Sequence, residues 1–488
     1  MSGVATRQRG DPSRSNGAAG LSSFPPEGPA ARLDLLCDPG SFSPIRSRVT
    51  PARDGGRSVP GDGVLAGAGR IGGRPIFCYS QDPSFMGGSL GSAHADTIVR
   101  VMELAGRADA PLVGFVESGG ARLQEGHAAL GGYGRIFRAS VELSGRVPQI
   151  SIVTGVSAGG GAYSPALTDF VVMTESARMF LTGPGIVREA LGEEITAEDL
   201  GGPAVHSRTG VCQLVAASEP EAIAVARELL ELIAAARPAS IGSIPVAASG
   251  PGPAADPGTI VPAEARGTYD VRDVVAALSD DARPLELSGG WARNMVTALT
   301  RIDGRTVGVV ANQPRRLGGV IDAAAAEKAA CFVDSCDRFG IPLVALVDTP
   351  GFMPGSGQER AGVIRHGAAL LRAFAAARVP KLTVVLRKGY GGAVITMNSK
   401  DLGADLVLAW PGAEIGIMAA PQAVGIVQRR EIEAAPDPDA ERRERGAAYA
   451  AEHLNADAAA AAGFVDEVIE PIETRARLAW ALGVLERR

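Results

Sequence analysis

Two glycine-rich turns carry the residues of this chain that are best suited to chemistry. Residues 155–161 (GVSAGGG) and residues 388–393 (KGYGGA) each follow a short apolar run. A turn with few Cβ atoms lets successive backbone N–H groups point at one ligand oxygen, and a helix that begins there adds a positive dipole end. Such a turn can form an oxyanion hole, in which one donor typically contributes about 2.7–4 kcal/mol of transition-state stabilisation. The sequence therefore predicts two sites for a developing negative charge.

Both turns belong to a repeat that runs through most of the chain. A register held through several landmarks is typical of a duplicated domain. The landmarks that recur 231 positions apart are Arg70 and Arg301, residues 87–88 and 318–319, residues 111–113 and 342–344, and the acids Glu117 and Asp348. One position later in offset, residues 159–160 recur as residues 391–392. The glycine turns therefore lie at matched positions of two copies of one fold.

Composition and charge exclude several classes of function. At 488 residues the chain can hold two domains of roughly 200 residues each. The net charge of −6 gives no electrostatic reason to bind nucleic acid or an anionic membrane. From the apolar patterning we expect neither a membrane-spanning run nor a signal peptide. The five cysteines form no CxxC pair, and the five histidines show no metal-binding spacing. We expect a cytoplasmic protein without a metal ion.

Short apolar strands alternate with longer amphipathic helices in each copy, which predicts an α/β fold. The strands lack polar alternation, as expected where both faces of a sheet are covered. The clearest of them are residues 112–116, 149–154, 343–347 and 382–386. One sheet wound by βαβ crossovers and a spiral of ββα turns both satisfy this pattern.

Composition also divides the chain into segments. Residues 1–30 are rich in Gly, Ser, Pro and Arg and predict a disordered tail, whereas residues 237–262 predict a linker. We predict an N-terminal domain over residues 31–236, which begins with a short helix, and a C-terminal domain over residues 263–488. Within the second domain, residues 431–446 form a charged insertion for which we predict a solvated helix.

The first turn also contains the pattern G-x-S-x-G, which surrounds the nucleophile of many serine hydrolases. The pattern would make Ser157 a nucleophile, with His206 or His366 as its base. Five residues in a glycine-rich chain are a weak signal, so a serine hydrolase is the less favoured alternative.

Taken together, the turns and their neighbours resemble the carboxyltransferase (beta) subunit of biotin-dependent acyl-CoA carboxylases, with the propionyl-CoA carboxylase beta type as the nearest match. The resemblance runs in order from residue 31 to residue 485. The motifs that carry it are residues 117–126 (ESGGARLQEG), 158–160 (AGG), 163–169 (YSPALTD), 347–352 (VDTPGF) and 390–393 (YGGA).

This resemblance implies two tandem crotonase-like domains, each a spiral of ββα turns, in a subunit that dimerises head to tail. Three such dimers would form a hexamer, with each active site between the N-terminal domain of one subunit and the C-terminal domain of its neighbour. The implied partners are a biotin carboxylase and a biotin carboxyl carrier subunit. Biotin would be attached to that separate carrier, and coenzyme A would be part of the substrate.

The implied reaction transfers a carboxylate from carboxybiotin to the α-carbon of a short- or medium-chain acyl-CoA, of the acetyl, propionyl or butyryl type. By resemblance, the N–H groups of Gly159 and Gly160 hold the thioester oxygen, and those of Gly392 and Ala393 hold the biotin oxygen. The other implied substrate contacts are Gly119, Gly120, Ala121, Arg122, Tyr163, Val394 and Ile395. The implied biotin contacts are Pro350, Gly351, Phe352, Tyr390 and Gly391.

Two departures from the family pattern bear on substrate and activity. Propionyl-type members usually carry Asp where this chain has Ile395. We therefore expect a more apolar acyl pocket, and the length of the acyl chain that it prefers stays open. Residues 418–424 replace a stretch richer in glycine near the biotin side. Two further alternatives therefore stay open. One is a biotin-dependent malonyl- or methylmalonyl-CoA decarboxylase that runs the reverse reaction, and the other is a scaffold that has lost activity.

Overall fold

The computed structural model describes residues 28–51, 59–236, 256–264 and 267–485. Most of the predicted tail (residues 1–30) and of the predicted linker (residues 237–262) therefore lies outside the described residues. The first helix begins at Pro29, slightly before the predicted start of the N-terminal domain.

The N-terminal half forms one sheet with helices packed on it. Its strands are β1 (Ser43–Pro44), β2 (Val64–Ile71), β3 (Arg74–Gln81), β4 (Leu112–Ser118), β5 (Gln149–Ala158), β6 (Phe170–Thr174), β7 (Arg178–Phe180) and β8 (Leu214–Ala216). Its helices are α1 (Pro29–Leu36), α2 (Ser92–Ala108), α3 (His127–Leu143), α4 (Gly160–Ala166), α5 (Pro184–Leu191), α6 (Ala197–Gly201), α7 (Pro203–Thr209) and α8 (Glu219–Ala236). The strand order is β1-β2-β3-β4-β5-β6-β8, and β7 pairs with the end of β5.

The C-terminal half repeats this arrangement. Its strands are β9 (Leu285–Leu287), β10 (Met295–Ile302), β11 (Arg305–Asn312), β12 (Leu343–Thr349), β13 (Lys381–Tyr390), β14 (Leu406–Ala409), β15 (Glu414–Gly416) and β16 (Glu467–Val468). Its helices are α9 (Val271–Leu278), α10 (Ala323–Phe339), α11 (Ser356–Arg360), α12 (Val363–Ala376), α13 (Gly391–Thr396), α14 (Ala420–Val427), α15 (Arg429–Ala434), α16 (Pro438–His453), α17 (Ala456–Ala461) and α18 (Thr474–Leu485). The strand order is β9-β10-β11-β12-β13-β14-β16, and β15 pairs with the end of β13.

The two sheets correspond strand for strand, which confirms the duplication predicted from the sequence. In each half two strands pair antiparallel (β2 with β3, β10 with β11), a long helix follows, and the next strand joins in parallel. This succession is the ββα spiral, one of the two topologies that the periodicity left open. The four predicted strands are all present, and each extends a few residues further than the sequence indicated.

The long helix that follows each antiparallel pair has matched ends. In α2 the chain leaves the helix at Asp109, which adopts a left-handed φ of 50°. In α10 the Asp322 side chain accepts the Ala325 N–H at the start, and Gly340 ends the helix with a φ of 72°. Both helices bury residues three and four positions apart, so one face packs on the sheet.

Each central strand pair contains the same irregularity. The parallel register of β4 and β5 shifts between Val116 and Ser118, and that of β12 and β13 shifts between Val347 and Thr349. A bulge of this kind bends a strand and re-aims the side chain at the bulge. The residue at the shift is the acid that the sequence pattern singled out in each copy. The strand end and the turn after it therefore have the same shape in both halves.

One apolar core joins the two halves. Helix α8 contacts β5 and β6 of the first sheet and β10 and β11 of the second. Its buried Leu229 and Ile233 belong to a cluster that also contains buried residues of β12 and β13. The ring centroids of Phe170 and Phe339, one from each half, are 6.0 Å apart. Because this core is continuous, the two sheets hold a fixed relative orientation.

The charged insertion at residues 431–446 is helical, as predicted. It forms the end of α15 and the first part of α16, and most of its side chains are exposed. Helix α16 packs on α14, so the insertion also supports the segment that begins at residue 418.

None of the helices in the described ranges combines the length and the apolar composition that crossing a bilayer requires. The five cysteines are free thiols.

His94 is a buried histidine on the inner face of α2, and burial lowers its pKa to about 3. Its Nε2 lies 3.2 Å from the side-chain nitrogen of Gln81, whose side-chain oxygen accepts the N–H of Glu117. Because an amide nitrogen can only donate, Nε2 of His94 must accept and the ring must be neutral. The neutral ring therefore supports the contact that holds the end of β4.

We expect acid to destabilise the protein through this histidine. Its folded pKa lies below the ordinary value of 6.5, so the unfolded chain takes up the proton first. The stability that the neutral ring contributes is present above pH 6.5 and is lost as the pH falls towards about 3. His94→Gln should therefore reduce the slope of unfolding free energy against pH below 6.5, measured by urea titration. The exposed His453→Gln is the control, and an equal slope in both variants would contradict the assignment.

Candidate active site

The first glycine turn joins β5 to α4 through Gly159, which has a φ of 58°. The N–H of Gly159 donates to the Phe180 carbonyl at 3.1 Å, and the N–H of Ala162 donates to the Gly159 carbonyl at 3.0 Å. The first N–H groups of a helix have no intrahelical acceptor, and those of α4 belong to Gly160 and Gly161. The predicted donor at Gly159 is therefore wrong, because strand β7 already uses that N–H. The N–H groups that remain available at this turn are those of Gly160 and Gly161.

The second glycine turn joins β13 to α13 through Gly391, which has a φ of 60°. The first turn of α13 contains Gly392 and Ala393, and the Thr396 hydroxyl returns to the Gly392 carbonyl at 2.7 Å. With the register of the two central strands, Gly392 and Ala393 are the counterparts of Gly160 and Gly161. The structure thus places two equivalent pairs of backbone donors at the carboxyl ends of β5 and β13.

Tyr133 of α3 covers the first turn and explains why residue 160 is glycine. A Cβ on Gly160 would lie 2.7 Å from the Tyr133 ring, well inside van der Waals contact. The hydroxyl of Tyr133 lies 3.0 Å from the Ser118 Oγ, at the end of the neighbouring strand. The ring is therefore held in place while it lies against the turn. Sequence reasoning missed both Tyr133 and Gly161, although the repeat register pairs Gly161 with Ala393.

A further backbone donor lies in the loop that follows β4. Leu90 pairs with this loop through two bonds of 2.9 Å, from its N–H to the Gly120 carbonyl and from the Arg122 N–H to its carbonyl. The N–H of the residue between them, Ala121, donates to no described residue. A Cβ on Gly120 would lie 3.5 Å from the Ala158 carbonyl oxygen, so this loop adjoins the first turn. The loop that carries Gly120 and Ala121 therefore lies beside the first glycine turn, and the substrate contact stays a prediction.

The second half builds the same bridge between Ile321 and Phe352. The Ile321 N–H donates to the Gly351 carbonyl at 3.0 Å, and its carbonyl accepts the Met353 N–H at 2.8 Å. The N–H of Phe352 donates to no described residue, while its ring packs against the Cα of Gly367. Pro350, Gly351 and Phe352 thus form the counterpart of the loop around Ala121.

The two strand-ending acids are held by arginines. Glu117 pairs with Arg32 of α1 at 3.0 Å and accepts the Thr154 hydroxyl at 3.1 Å. Asp348 is fully buried, pairs with Arg387 at 3.0 Å and accepts the Tyr269 hydroxyl at 2.9 Å. Both carboxylates therefore fix the strand ends, and neither is free to act as a general base.

Arg122 also has a structural role, because its side chain is bonded within the protein. Its guanidinium is 4% exposed and contacts Asp62 at 2.6 Å and Glu125 at 2.8 Å. It lies over the Phe85 ring and donates to the Ser89 carbonyl at 3.0 Å. The predicted direct contact of Arg122 with substrate is not supported, because the guanidinium is buried and is bonded to groups of the chain itself. Arg122 holds the loop that carries Ala121.

The other predicted contacts differ in exposure. Tyr163 is 51% exposed on α4 and packs edge-on against Phe137, and Ile395 is 44% exposed on α13. Val394 is 6% exposed and faces Gly389, so it belongs to the core instead of a pocket surface. Tyr390 is buried, and its hydroxyl donates to Glu414. Its pKa is raised mainly by burial and further by this hydrogen bond.

Gly119 lies between the strand end and the free donor of the first loop. Its N–H donates to the Gly87 carbonyl at 2.9 Å, so it anchors the loop to the preceding glycine pair. It is therefore a backbone support for the predicted substrate contact.

Ser157 cannot act as a hydrolase nucleophile in this structure. The residue lies inside β5, where it pairs with Ser118, and it is fully buried. Its hydroxyl donates to the Val116 carbonyl at 3.3 Å. Of the two proposed bases, His206 bonds to the Met179 carbonyl and His366 lies beside Glu327. The serine hydrolase alternative is wrong.

No group of three or more His, Cys, Asp or Glu side chains among the described residues is placed to hold an ion.

Comparison with known proteins identifies relatives over nearly the whole chain. The family model described as carboxyl transferase domain matches residues 29–488. The propionyl-CoA carboxylase beta chain of Saccharopolyspora erythraea is 44% identical over 472 residues, which cover 93% of this chain and 86% of that one. The methylmalonyl-CoA decarboxylase subunit alpha of Veillonella parvula is 42% identical over 463 residues, which cover 93% and 89%.

A solved structure is similar over the same range. The transcarboxylase 12S crystal structure, a hexamer with methylmalonyl-coenzyme A and methylmalonic acid bound, superposes with a TM-score of 0.89 at 45% identity. The match covers 95% of this chain and 90% of that one. The predicted crotonase-like fold and the predicted family are thereby confirmed.

The buried pair of Asp348 and Arg387 gives a stability prediction. Asp348→Asn leaves the Arg387 guanidinium buried without a counter-charge, which typically costs about 3–5 kcal/mol. We expect the free energy of unfolding to fall by about 3 kcal/mol, measured by urea denaturation. Asp96→Asn is the matched control, because its pair with Arg135 is exposed on both sides and is worth less than about 1 kcal/mol. Equal losses in the two variants would contradict the role of the buried pair.

Proposed function

The chain belongs to the carboxyl transferase domain family, and we propose that it transfers a carboxylate between biotin on a separate carrier protein and the α-carbon of an acyl-CoA. The observation that carries this proposal is the pair of matched glycine turns. Each presents two backbone N–H groups in the first turn of a helix, at equivalent ends of two copies of one fold. Two oxyanion sites suit a reaction in which charge develops on two different oxygens.

Carboxyl transfer from biotin needs this arrangement. As the carboxylate leaves N1 of biotin, negative charge builds on the ureido oxygen, and N1 then takes the α-proton of the thioester. The thioester becomes an enolate, with its negative charge on the former thioester oxygen, and the α-carbon of the enolate attacks the carbon of the released CO2. We assign the N–H groups of Gly160 and Gly161 to the thioester oxygen and those of Gly392 and Ala393 to the ureido oxygen. Biotin supplies the base, which agrees with Glu117 and Asp348 being held in ion pairs.

The proposal includes the assembly and the location. We infer that the chain forms a hexamer built from head-to-tail dimers, as the similar 12S structure is a hexamer. Such a dimer would bring the first turn of one subunit to the second turn of its neighbour. The partners would be a biotin carboxylase and a biotin carrier subunit, and the compartment would be the cytoplasm.

Decarboxylation is the second candidate, because a relative at 42% identity is a methylmalonyl-CoA decarboxylase subunit. The same two sites serve both directions, since each step of the transfer is reversible. Residues 418–424, whose departure raised the scaffold alternative, are ordered and lead into α14, where Ala420 packs on Tyr390. That support of the second turn favours an active enzyme over a scaffold.

The half-reaction in reverse tests the proposed function. Purified protein is incubated with free biotin and either methylmalonyl-CoA or malonyl-CoA, and release of propionyl-CoA or acetyl-CoA is followed. Biotin-dependent release supports the proposal and ranks the two acyl groups. Loss of carboxylate without biotin, release of free coenzyme A, or no release with either substrate would contradict it.

Two substitutions at one position isolate a backbone donor. A Cβ on Gly392 would meet no atom within 4 Å, so Gly392→Ala keeps both the N–H and the packing. Gly392→Pro removes the N–H, and loss of one oxyanion donor typically lowers kcat about 10²–10³-fold. We expect that loss for the proline variant and near wild-type turnover for the alanine variant, in the half-reaction. Equal turnover of the two variants would remove Gly392 from the biotin-side hole.

The acyl preference is expected to depend on Ile395. Its half-exposed side chain projects from the helix that carries the second donor pair. Ile395→Asp places a carboxylate beside the acyl chain. A difference of one methylene in a hydrophobic pocket typically gives about 1–3 kcal/mol of discrimination between substrates. We expect the ratio of methylmalonyl-CoA to malonyl-CoA turnover to change by roughly tenfold. Ile472→Asp, on an exposed residue of the loop before α18, is the control. An unchanged ratio would exclude Ile395 from the acyl pocket.

A further inference from the structure

A cavity of about 420 Å³ opens at the carboxyl end of β11, and arginines dominate its wall. We call it the arginine pocket. Its lining residues are Asp270, Arg272, Arg293, Gln313, Arg315 and Arg316. This volume lies within the range of small-molecule sites, roughly 300–1,000 Å³. Four guanidinium groups therefore share one cavity of ligand size.

The carboxylates nearby do not neutralise these arginines. Arg272 is held by Glu286 through bonds of 2.7 and 2.8 Å, and Arg315 reaches Asp270 at 3.3 Å. The side chains of Arg293 and Arg316 pair with no side chain of the described residues. Two carboxylates thus face four guanidinium groups, and the pocket keeps a net positive charge.

A buried lysine adds to the positive field of the pocket. The Lys328 ammonium donates to the carbonyls of Trp291 and Met295 at 3.0 and 2.7 Å, on either side of Arg293 in the chain. Burial lowers the pKa of Lys328 to about 8, so most of the molecules still carry this charge at neutral pH. The carboxylate that acts on this ammonium is Glu286, which also bonds to Arg272 and is therefore shared between two cations.

The N-terminal half shows that the fold does not need these arginines. In the repeat register, Asp62 and Phe85 are the counterparts of Arg293 and Arg316. In the N-terminal half, the space that corresponds to the arginine pocket is occupied by the Arg122 side chain. Its guanidinium lies between the Asp62 carboxylate and the Phe85 ring. The counterpart of Arg122 is Met353, which brings no charge. The second half has therefore exchanged an internal ion pair for an open cavity lined by cations.

We propose that the arginine pocket binds a phosphate-bearing anion, with Arg293, Arg315 and Arg316 as its ligands. Guanidinium groups present paired N–H donors that match phosphate oxygens bidentately, and they remain charged at any physiological pH. A dianionic or trianionic group matches the excess charge better than a single carboxylate does. The pocket is separate from the two oxyanion turns, which bind by backbone donors.

The position of the pocket suggests two sources of phosphate. Gln313 lines the pocket and follows Asn312, whose side-chain oxygen accepts the Asp348 N–H at 3.2 Å. The pocket therefore lies at the same sheet edge as the second glycine turn. The phosphate could come from the nucleotide portion of an acyl-CoA or from a free nucleotide. The acyl-CoA source rests on the proposed function, whereas binding of a free nucleotide does not.

Calorimetric titration of the full chain tests the pocket, with ADP and adenosine 3′,5′-bisphosphate as probes. We expect wild-type protein to bind at least one probe, and the Arg315→Gln/Arg316→Gln double variant to bind it roughly tenfold or more weakly. Arg430→Gln, an exposed arginine outside the pocket, is the matched control and should bind as wild type does. Circular dichroism checks that the double variant is folded.

The half-reaction separates the two sources. A raised KM for the CoA substrate in the double variant, with unchanged kcat, assigns the pocket to the acyl-CoA phosphates. Weakened probe binding with an unchanged KM assigns it to a free nucleotide. Absence of binding to wild type at millimolar probe, or equal binding by wild type and double variant, would overturn the proposal. Both of those outcomes can be read in protein that lacks transferase activity.

Discussion

The structure depends on one constraint, a carboxylate at the bulge that ends the central strand of each half. Asp348 is fully buried and Glu117 is partly buried. A carboxylate withdrawn from water needs a counter-charge and hydrogen bonds, and the two halves supply them differently. Glu117 forms an ion pair with Arg32 of α1. The neighbouring strand β5 has Gly155 beside it, where a Cβ would overlap the Glu117 side chain. Asp348 forms its ion pair with Arg387, which lies in β13 at the position that matches Gly155 of β5. The same backbone bend is thus stabilised by two different arginines.

The bend at the strand end also determines where the two glycine turns lie. The strand end directs the loop back onto the preceding segment through Leu90 in one half and Ile321 in the other. Each bridge leaves one backbone N–H without an acceptor among the described residues. The adjacent strand then turns sharply at a glycine of positive φ and starts a short helix with two more donors. The shared core around α8 fixes both arrangements in one subunit. In the proposed reaction, backbone geometry and not an ionisable side chain therefore carries the chemistry.

Much of this could be predicted from the sequence because it is a property of pattern. Recurring landmarks predicted the duplication, apolar runs predicted the central strands, and the glycine clusters marked the turns. The choice of donor could not be predicted, since the N–H of Gly159 is used by β7, a strand that pairs across the fold. Arg122 was expected at the substrate, but its counter-charge Asp62 lies 60 positions away in sequence. The arginine pocket likewise arises from residues that only the tertiary structure brings together.

In the proposed mechanism, both turns serve one reaction across two copies of the chain. Subunits with Gly160→Ala, whose Cβ would strike the Tyr133 ring, can be co-expressed with subunits carrying Gly392→Pro, each with its own affinity tag. Tandem purification isolates hybrids of two inactive subunits. If the site forms between neighbours, one of the two sites in each hybrid dimer carries no substitution. A hexamer assembled at random from equal amounts of the two subunits should therefore recover about a quarter of wild-type turnover. A hybrid as inactive as its parents would contradict the account.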